Sequence, residues 1–378
     1  MIDTVILSIP RDQMHTLASS RGHFYPEWAL QKSGRNHRIW IKNGRKQYKD
    51  TDPYYPRLTA YNRQDERSGR IARMVNIEFS VPKLLYNNNL NEVEDKNFPE
   101  IIKILKQKLS AMGEIISETS FMNASVSGFD PAKNIVLGDG YICSAVIREL
   151  GKINVSKKLE LTKVTFKNDG QALQIYSKNY SVVFYDKIAD LNQKKHRAVD
   201  KDQTPLQLSL FKEIKKKAPF LEILRLEVRL RNKQKMNSVL KMLGLKENPT
   251  FKDVCKKDVC QKVVRWYWET IIKGENVFLF ELENNPKRLL RKILKKKETI
   301  KAKESIYFVG LNLLCKDEGG IRELRQILEK RIKQRNWYRI SDNIKELNDF
   351  TSKGGFHSWV KQIEECLDKF ETYRINSP

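Results

Sequence analysis

Residues 222–231 read EILRLEVRLR, and apolar and charged residues alternate along this stretch from Leu224 onward. One face of such a strand carries four apolar residues: Leu224, Leu226, Val228 and Leu230. The other face carries four charged residues: Arg225, Glu227, Arg229 and Arg231. A period of two with one apolar face is typical of an antiparallel sheet whose other face is polar.

Four more segments have strand character: residues 2–10 (IDTVILSIP), 73–81 (RMVNIEFSV), 117–130 (SETSFMNASVSGFD) and the hairpin at 172–188 (ALQIYSKNYSVVFYDKI). Between them lie two amphipathic segments. The first has Pro99 near its start and Gly113 at its end, and the second covers residues 139–153 (DGYICSAVIRELGKI). These signals predict two helices packed on an antiparallel sheet. We therefore predict an α+β domain over residues 1–245.

The chain changes character after about residue 245, where it becomes helical and basic. Residues 285–303 (NPKRLLRKILKKKETIKAK) hold nine Lys and Arg residues, and the apolar periodicity that follows is interrupted at Gly319–Gly320. The interruption predicts a helical hairpin. Residues 246–378 are therefore predicted to form a smaller, mostly helical and basic domain.

The net charge of the chain indicates which class of partner it binds. The 378 residues include 71 Lys and Arg against 46 Asp and Glu, a formal net charge of +25. Such an excess favours polyanions, chiefly nucleic acid, because binding releases the counterions condensed on the phosphates. No apolar run of membrane-spanning length, lipidation motif or secretory signal is evident, so we expect no membrane partner and a cytoplasmic location.

The polar faces of the predicted strands carry groups suited to phosphoryl chemistry. Glu78 and Glu227 are single acids on two strands, Asp130 follows a third, and Tyr185 and Lys187 end a fourth. If these strands share one sheet, the carboxylates suit Mg²⁺ or Mn²⁺ as ligands. A cation and an ammonium near a phosphate would favour attack by the Tyr185 phenolate, giving a phosphotyrosine and a free 3′-hydroxyl.

Each of these residues also has a structural interpretation. Tyr185 can be an ordinary strand residue, Glu227 a partner in a cross-strand ion pair, and Asp130 a turn residue before a proline. Lys187 can be a solvated strand end. Spacing leaves these alternatives open.

Several segments together resemble the gene II-type replication proteins of filamentous phages and their relatives in small phages and plasmids. In order, they are MIDTVILSIP, YYPRLT, VNIEFSVPKLLYNNNLNEV, VSGFDPAKNI, VVFYDK and LRLEVRLRNKQKM, and they cover residues 1–245. Such proteins initiate rolling-circle replication: they nick one strand at the origin, stay attached through a 5′-phosphotyrosine, and rejoin the displaced strand.

The resemblance implies a nickase-like sheet domain and a metal-dependent endonuclease and strand transferase. It gives the nucleophile role to Tyr185, with Lys187 beside it, and a Mg²⁺ or Mn²⁺ ligand role to Glu78, Asp130 and Glu227. Tyr61 and Tyr176 are the rival nucleophiles. The sequence has no HUH pair, which leaves the ligand set open. The implied partners are duplex and single-stranded origin DNA, with a host helicase and polymerase, in the cytoplasm of a bacterial cell.

Basic residues are the candidates for contact with DNA: Arg225, Arg229, Lys287, Arg288, Arg291, Lys292, Lys295, Lys296, Arg322 and Arg325. Lysine contacts to phosphate would add affinity, and Arg322 and Arg325 would reach base edges if their helix entered a major groove. The alternative is a solvated basic face on a packing helix. For the whole chain, the alternative function is a DNA-binding regulator of phage or plasmid replication without catalysis.

Overall fold

Twelve strands and fourteen helices lie within the part of the chain that the computed structural model describes, namely residues 1–19, 25, 27–33, 37–43, 54–64, 71–153, 164–167, 171–191, 205–218, 220–273, 285–317, 319–329, 331–332, 334–351 and 357–375. The strands are β1 (Ile2–Pro10), β2 (Met14–Thr16), β3 (Ala29–Ser33), β4 (His37–Asn43), β5 (Arg57–Gln64), β6 (Ile71–Ser80), β7 (Glu114–Ile116), β8 (Ser125–Leu137), β9 (Val164–Lys167), β10 (Ala172–Tyr176), β11 (Ser181–Asp186) and β12 (Glu222–Arg229).

The helices are α1 (Val81–Tyr86), α2 (Phe98–Ala111), α3 (Glu118–Met122), α4 (Cys143–Gly151), α5 (Lys187–Leu191), α6 (Pro205–Lys217), α7 (Lys233–Met242), α8 (Phe251–Val254), α9 (Lys257–Tyr267), α10 (Pro286–Lys296), α11 (Ala302–Lys316), α12 (Gly320–Glu329), α13 (Gln334–Thr351) and α14 (Ser358–Lys369). A π-helical turn, Trp268–Lys273, continues α9. None of the helices in the described ranges is long and apolar enough to cross a membrane.

Ten strands form one antiparallel sheet in the order β3-β4-β5-β6-β1-β8-β12-β11-β10-β9. The long strand β8 and the alternating strand β12 lie at its centre, where Glu227 pairs with Ala132 and Val183. The α+β class and the antiparallel sheet are therefore confirmed. The short strands β2 and β7 pair separately.

The apolar face of β12 is buried in the core of the protein. Leu224, Leu226, Val228 and Leu230 are fully buried. They belong to one hydrophobic core with residues of α2, α4, α9 and α14. Burying an aliphatic side chain of this size stabilises the fold by about 1.5–3 kcal/mol each, so the alternation fixes which face of β12 points inward.

The helices that follow residue 245 share this core. Phe251 packs edge-on against Phe79 of β6, with ring centres 5.6 Å apart, and Trp268 packs against Phe184 of β11. Both α9 and α14 contact β8. Tyr267 and Trp268 are fully buried, as is usual for aromatic residues at helical spacing. The hairpin predicted at Gly319–Gly320 is formed by α11 and α12.

Candidate functional site

The acids and the tyrosine selected from the sequence lie on adjacent strands of the large sheet. Glu78 is on β6, Asp130 on β8, Glu227 on β12 and Tyr185 on β11, and only β1 separates β6 from β8. Their side chains point away from the apolar core together with Arg225, Arg229 and Arg231. We call these seven residues the polar face.

Tyr185 and Glu227 form the pair that matters most for chemistry. The Tyr185 hydroxyl donates a hydrogen bond to Oε2 of Glu227 at 3.1 Å, and Arg229 Nε donates to Oε1 of the same carboxylate at 2.6 Å. Tyr185 itself is partly exposed. One carboxylate thus joins a phenol to a guanidinium, which is the geometry of a proton acceptor held in place by a cation.

The protonation states of this pair follow from burial and charge. Burial alone would raise the pKa of Glu227, but Arg229 and Arg225 outweigh it and lower the pKa to about 2. Burial raises the pKa of Tyr185 well above its usual 10, and Arg225 only partly opposes that shift. At neutral pH the resting site therefore holds a neutral phenol bonded to an ionised carboxylate.

Lys187 differs from its predicted setting. The strand β11 ends at Asp186, and Lys187 opens α5, so it does not share a strand face with Tyr185 and is not a solvated strand end. Its side chain is 0% exposed, with Nζ 5.3 Å from the centre of the Tyr185 ring and 3.5 Å from Asp190 Oδ2. Burial, assisted by Arg225, lowers its pKa to about 8.

Asp130 is also placed differently, because it lies inside β8 and is buried rather than forming a turn. Pro131 suggested a turn, yet here it pairs with Ile2 at an irregularity of the β1–β8 ladder, where a missing N–H is tolerated. Arg231 Nη2 donates to Asp130 Oδ2 at 2.8 Å. Burial raises the pKa of Asp130 to about 6 although Arg231 opposes the shift.

Both terminal nitrogens of Arg225 have internal partners. Its Nη2 lies 3.0 Å from Asp3 Oδ1, and its Nη1 donates to the Asn89 carbonyl and to Asn134 Oδ1, each at 3.1 Å. The residue is buried. This position favours a structural role over the predicted contact with DNA.

Exposure increases along β12 toward its carboxyl end. The Arg225 and Glu227 side chains are each 4% exposed, the Arg229 side chain 29%, and the Arg231 side chain, just past the strand, 44%. A second small core, formed by Leu90, α5 and α6, lies at the other end of the strand, against Ile223. The polar face is therefore closed at Arg225 and open at Arg229 and Arg231.

The three predicted metal ligands are held by arginines. Arg231 contacts both Glu78 and Asp130, and Arg229 contacts Glu227. Among the described residues, the cluster whose ligand atoms lie within 4.8 Å of one another is a different one: Cys143, Asp186 and Glu222. In this arrangement Glu78, Asp130 and Glu227 do not fit a divalent cation, since guanidinium groups take up the carboxylate oxygens.

The Cys143 cluster has a structural explanation in helix capping. Glu222 Oε2 accepts from the Cys143 backbone N–H at the start of α4, and Asp186 Oδ1 accepts from the Ala189 N–H in α5. Burial raises the pKa of the Cys143 thiol far above its usual value, so the resting thiol is protonated. All five cysteines of the chain are free.

The helical region places the other basic candidates in two groups. On α10, Lys287, Arg288, Arg291, Lys295 and Lys296 are exposed and Lys292 is partly exposed. In contrast, Arg325 of α12 is buried, with its guanidinium 5.4 Å from the centre of the Trp337 ring, and Arg322 is partly buried. The α10 group reaches solvent, whereas Arg325 faces the interior.

The rival tyrosines lie on strands other than β11. Tyr61, on β5, donates to Asn76 Oδ1 at 3.4 Å, and Tyr176 ends β10, one strand beyond β11 from the acids. Sequence reasoning missed the linking role of Arg231, although the alternation of β12 already placed it on the charged face. Comparison of the chain with protein-family models, curated proteins and solved structures finds no match.

Proposed function

We propose that this chain is a rolling-circle replication initiator, which cleaves and rejoins one strand of DNA at an origin through a covalent phosphotyrosine at Tyr185. The observation that carries the proposal is the 3.1 Å hydrogen bond from the Tyr185 hydroxyl to Glu227, on a sheet face where arginines become exposed. A nucleophile, a proton acceptor and cations for a phosphodiester are thus side by side.

The reaction uses these groups in a defined order. Tyr185 Oη attacks the phosphorus, the bond from phosphorus to the 3′-oxygen breaks, and the phenolic proton passes to Glu227. The leaving 3′-oxygen takes a proton from water and becomes the primer hydroxyl, and the hydroxide that remains takes the proton from Glu227. Attack of a 3′-hydroxyl on the phosphotyrosine reverses the exchange, because one phosphodiester replaces another and no nucleotide cofactor is required.

Arg229 connects substrate binding to proton transfer. In the resting site it holds Glu227 ionised with a pKa of about 2, which makes that carboxylate a weak base. A phosphate competes with Glu227 for the Arg229 guanidinium, since both are anions that suit its paired N–H donors. Losing that partner raises the basicity of Glu227 as the substrate arrives.

A second function has one observation in its favour. The acids of the polar face are all in ion pairs, and such pairs also occur in sheets without catalysis. In that case the chain is a DNA-binding regulator, and its basic surface alone meets the DNA.

A covalent-adduct assay tests the proposal. Purified protein is incubated with labelled single-stranded DNA from the replicon that encodes it, in Mg²⁺, in Mn²⁺ and in EDTA, and separated on a denaturing gel. We expect an adduct that peptide mapping assigns to Tyr185. Tyr185→Phe should abolish it, whereas Tyr61→Phe and Tyr176→Phe should retain it. No adduct in any of the three buffers supports the regulator instead, and an adduct mapping to Tyr61 or Tyr176 moves the nucleophile.

A further inference from the structure

Arg231 occupies the position between two predicted metal ligands. Its Nη2 lies 2.8 Å and its Nε 3.2 Å from Asp130 Oδ2, and its Nη1 lies 3.3 Å from Glu78 Oε1. Asp130 is 1% and Glu78 20% exposed at the side chain. The guanidinium therefore bridges strands β6 and β8 across β1.

The backbone makes room for this bridge at Gly128. Ile6 of β1 pairs with both Glu78 and Gly128, so these three residues form one row across β6, β1 and β8. A Cβ at Gly128 would lie 3.0 Å from the Arg231 Cα and 3.0 Å from the Leu230 carbonyl oxygen. With no side chain there, Arg231 approaches β8 closely enough for its guanidinium to reach Glu78.

A divalent cation at this position would need the carboxylate oxygens that Arg231 already contacts. Mg²⁺ and Mn²⁺ require carboxylate oxygens with free lone pairs and close approach. Here the oxygens of Asp130 and Glu78 face a guanidinium, which keeps its positive charge at any physiological pH. A cation between the same oxygens would also meet the repulsion of that charge.

Arg231 can still receive a ligand. A guanidinium has five N–H donors. In Arg231, one N–H each of Nε, Nη1 and Nη2 points to the Asp130 and Glu78 carboxylates. Its side chain is 44% exposed at the open end of the polar face, next to Arg229 on the same side of β12. The remaining donors suit an anion with oxygens in a plane or a tetrahedron.

We propose that Arg231, held in position by Glu78 and Asp130, replaces the predicted divalent cation and binds a backbone phosphate of single-stranded DNA on the polar face. The inference rests on the proposed function, because it names the group that supplies positive charge to the same strand. Glu78 and Asp130 are then positioning residues for an arginine and not metal ligands.

Single-stranded DNA binding gives the first test. The anisotropy of a fluorescein-labelled oligothymidylate is titrated with wild type and with Arg231→Gln, in EDTA and in Mg²⁺. We expect equal wild-type affinity in both buffers at matched ionic strength, and a loss of about tenfold or more for Arg231→Gln, the size of a hydrogen bond to a charged group. The matched control is Arg148→Gln, which removes an exposed arginine of α4 on the opposite side of the sheet. Its loss should be far smaller.

Direct metal binding gives the second test. Mn²⁺ is titrated into wild type and into the double variant Glu78→Gln, Asp130→Asn, and free Mn²⁺ is followed by electron paramagnetic resonance. We expect wild type and the double variant to leave the same amount of Mn²⁺ free in solution. We also expect circular dichroism to show that both proteins are folded. Wild-type Mn²⁺ binding that disappears in the double variant overturns the inference, as does unchanged DNA affinity in Arg231→Gln.

The two proposals fail separately. If no phosphotyrosine adduct forms, the proposed function is lost, while the DNA and Mn²⁺ titrations still decide the role of Arg231. If an adduct forms at Tyr185 and the Glu78–Asp130 pair binds Mn²⁺, the function stands and Arg231 is not the replacement.

Discussion

Two sets of buried carboxylates in this chain differ in the exposure of their basic partners. Glu92 is bonded to Lys133 at 2.6 Å, and Glu114 to Lys42 at 2.7 Å, and all four side chains are at most 3% exposed. Glu227 and Asp130 are equally buried, but their partners Arg229 and Arg231 reach solvent. We call the Glu92–Lys133 and Glu114–Lys42 pairs the closed set, and Glu227 and Asp130 with their arginines the open set. A basic side chain buried away from solvent can only stabilise the fold. A basic side chain that reaches solvent can also bind a ligand.

The closed pairs also have more hydrogen bonds to the fold. Glu92 accepts from the Asn134 and Tyr373 backbone N–H groups as well as from Lys133, and Lys133 donates to the Glu371 carbonyl. These bonds fasten the carboxyl-terminal residues to β8. At the open end, the partners of Glu227 are a tyrosine and an arginine side chain, both of which can move without unfolding a strand.

Glu227→Gln should give the largest change at the open set. Glutamine keeps the shape and accepts a hydrogen bond from Tyr185, but it cannot take the phenolic proton. We expect the rate of adduct formation to fall by about 10²–10⁴-fold, the usual contribution of a general base. Rates from quenched time courses on the denaturing gel measure it. A rate within twofold of wild type would leave Glu227 as a structural ion pair.

At the closed set, Lys133→Met should lower the stability of the fold and leave adduct formation unchanged. It leaves the Glu92 carboxylate buried without its cation, and breaking a buried pair from one side costs about 3–5 kcal/mol of unfolding free energy. Urea denaturation followed by circular dichroism measures this change. Lys96→Met is the matched control, because Lys96 pairs with Glu94 but is 74% exposed, and little change is expected there. Adduct formation per folded Lys133→Met molecule should equal that of wild type.

Sequence patterns predicted the parts of this comparison that depend on local alternation. The period of two placed Glu78 and Glu227 on polar strand faces and predicted the strand β12, and Tyr185 does lie beside Glu227. Those patterns describe one strand at a time. They do not say which strands are neighbours, so the approach of Arg231 to Glu78 across β1 was not predictable.

The errors have the same origin. The sequence places Asp130 after its strand, with a turn at the following proline as the structural alternative, because the β1 irregularity that accommodates Pro131 is a tertiary feature. Lys187 was assigned to a strand because residues two apart share a strand face, but the strand ends one residue earlier. Arg225 is a DNA candidate because of its charge and Arg325 because of its place at the start of a helix, whereas Asp3 and Trp337, on other elements of the fold, hold them inside.

Lys187 should make the unfolding free energy of the protein depend on pH. Its pKa is about 8 in the folded protein and 10.5 in its usual state, so between these values the unfolded chain binds more protons. The unfolding free energy therefore gains from Lys187 as pH rises from about 8 to 10.5, by up to about 3 kcal/mol. Urea denaturation across this range, compared with Lys187→Met, isolates the effect because other titrations cancel. Parallel profiles for the two proteins would show that Lys187 keeps its ordinary pKa.

Arg291→Ala should give the smallest change in DNA affinity. Arg291 is exposed on α10 and pairs with neither set of carboxylates. If α10 meets duplex DNA through phosphates, losing one such contact lowers the slope of log affinity against log salt by about 0.9. It should not change discrimination between sequences, because phosphate contacts carry no base information. Titrations of a labelled duplex at several salt concentrations measure the slope, and Lys241→Ala, an exposed lysine on α7, is the control. An unchanged slope for Arg291→Ala would make α10 a solvated basic face. DNA binding would then depend on other basic residues, among them Arg229 and Arg231 at the open end of the polar face.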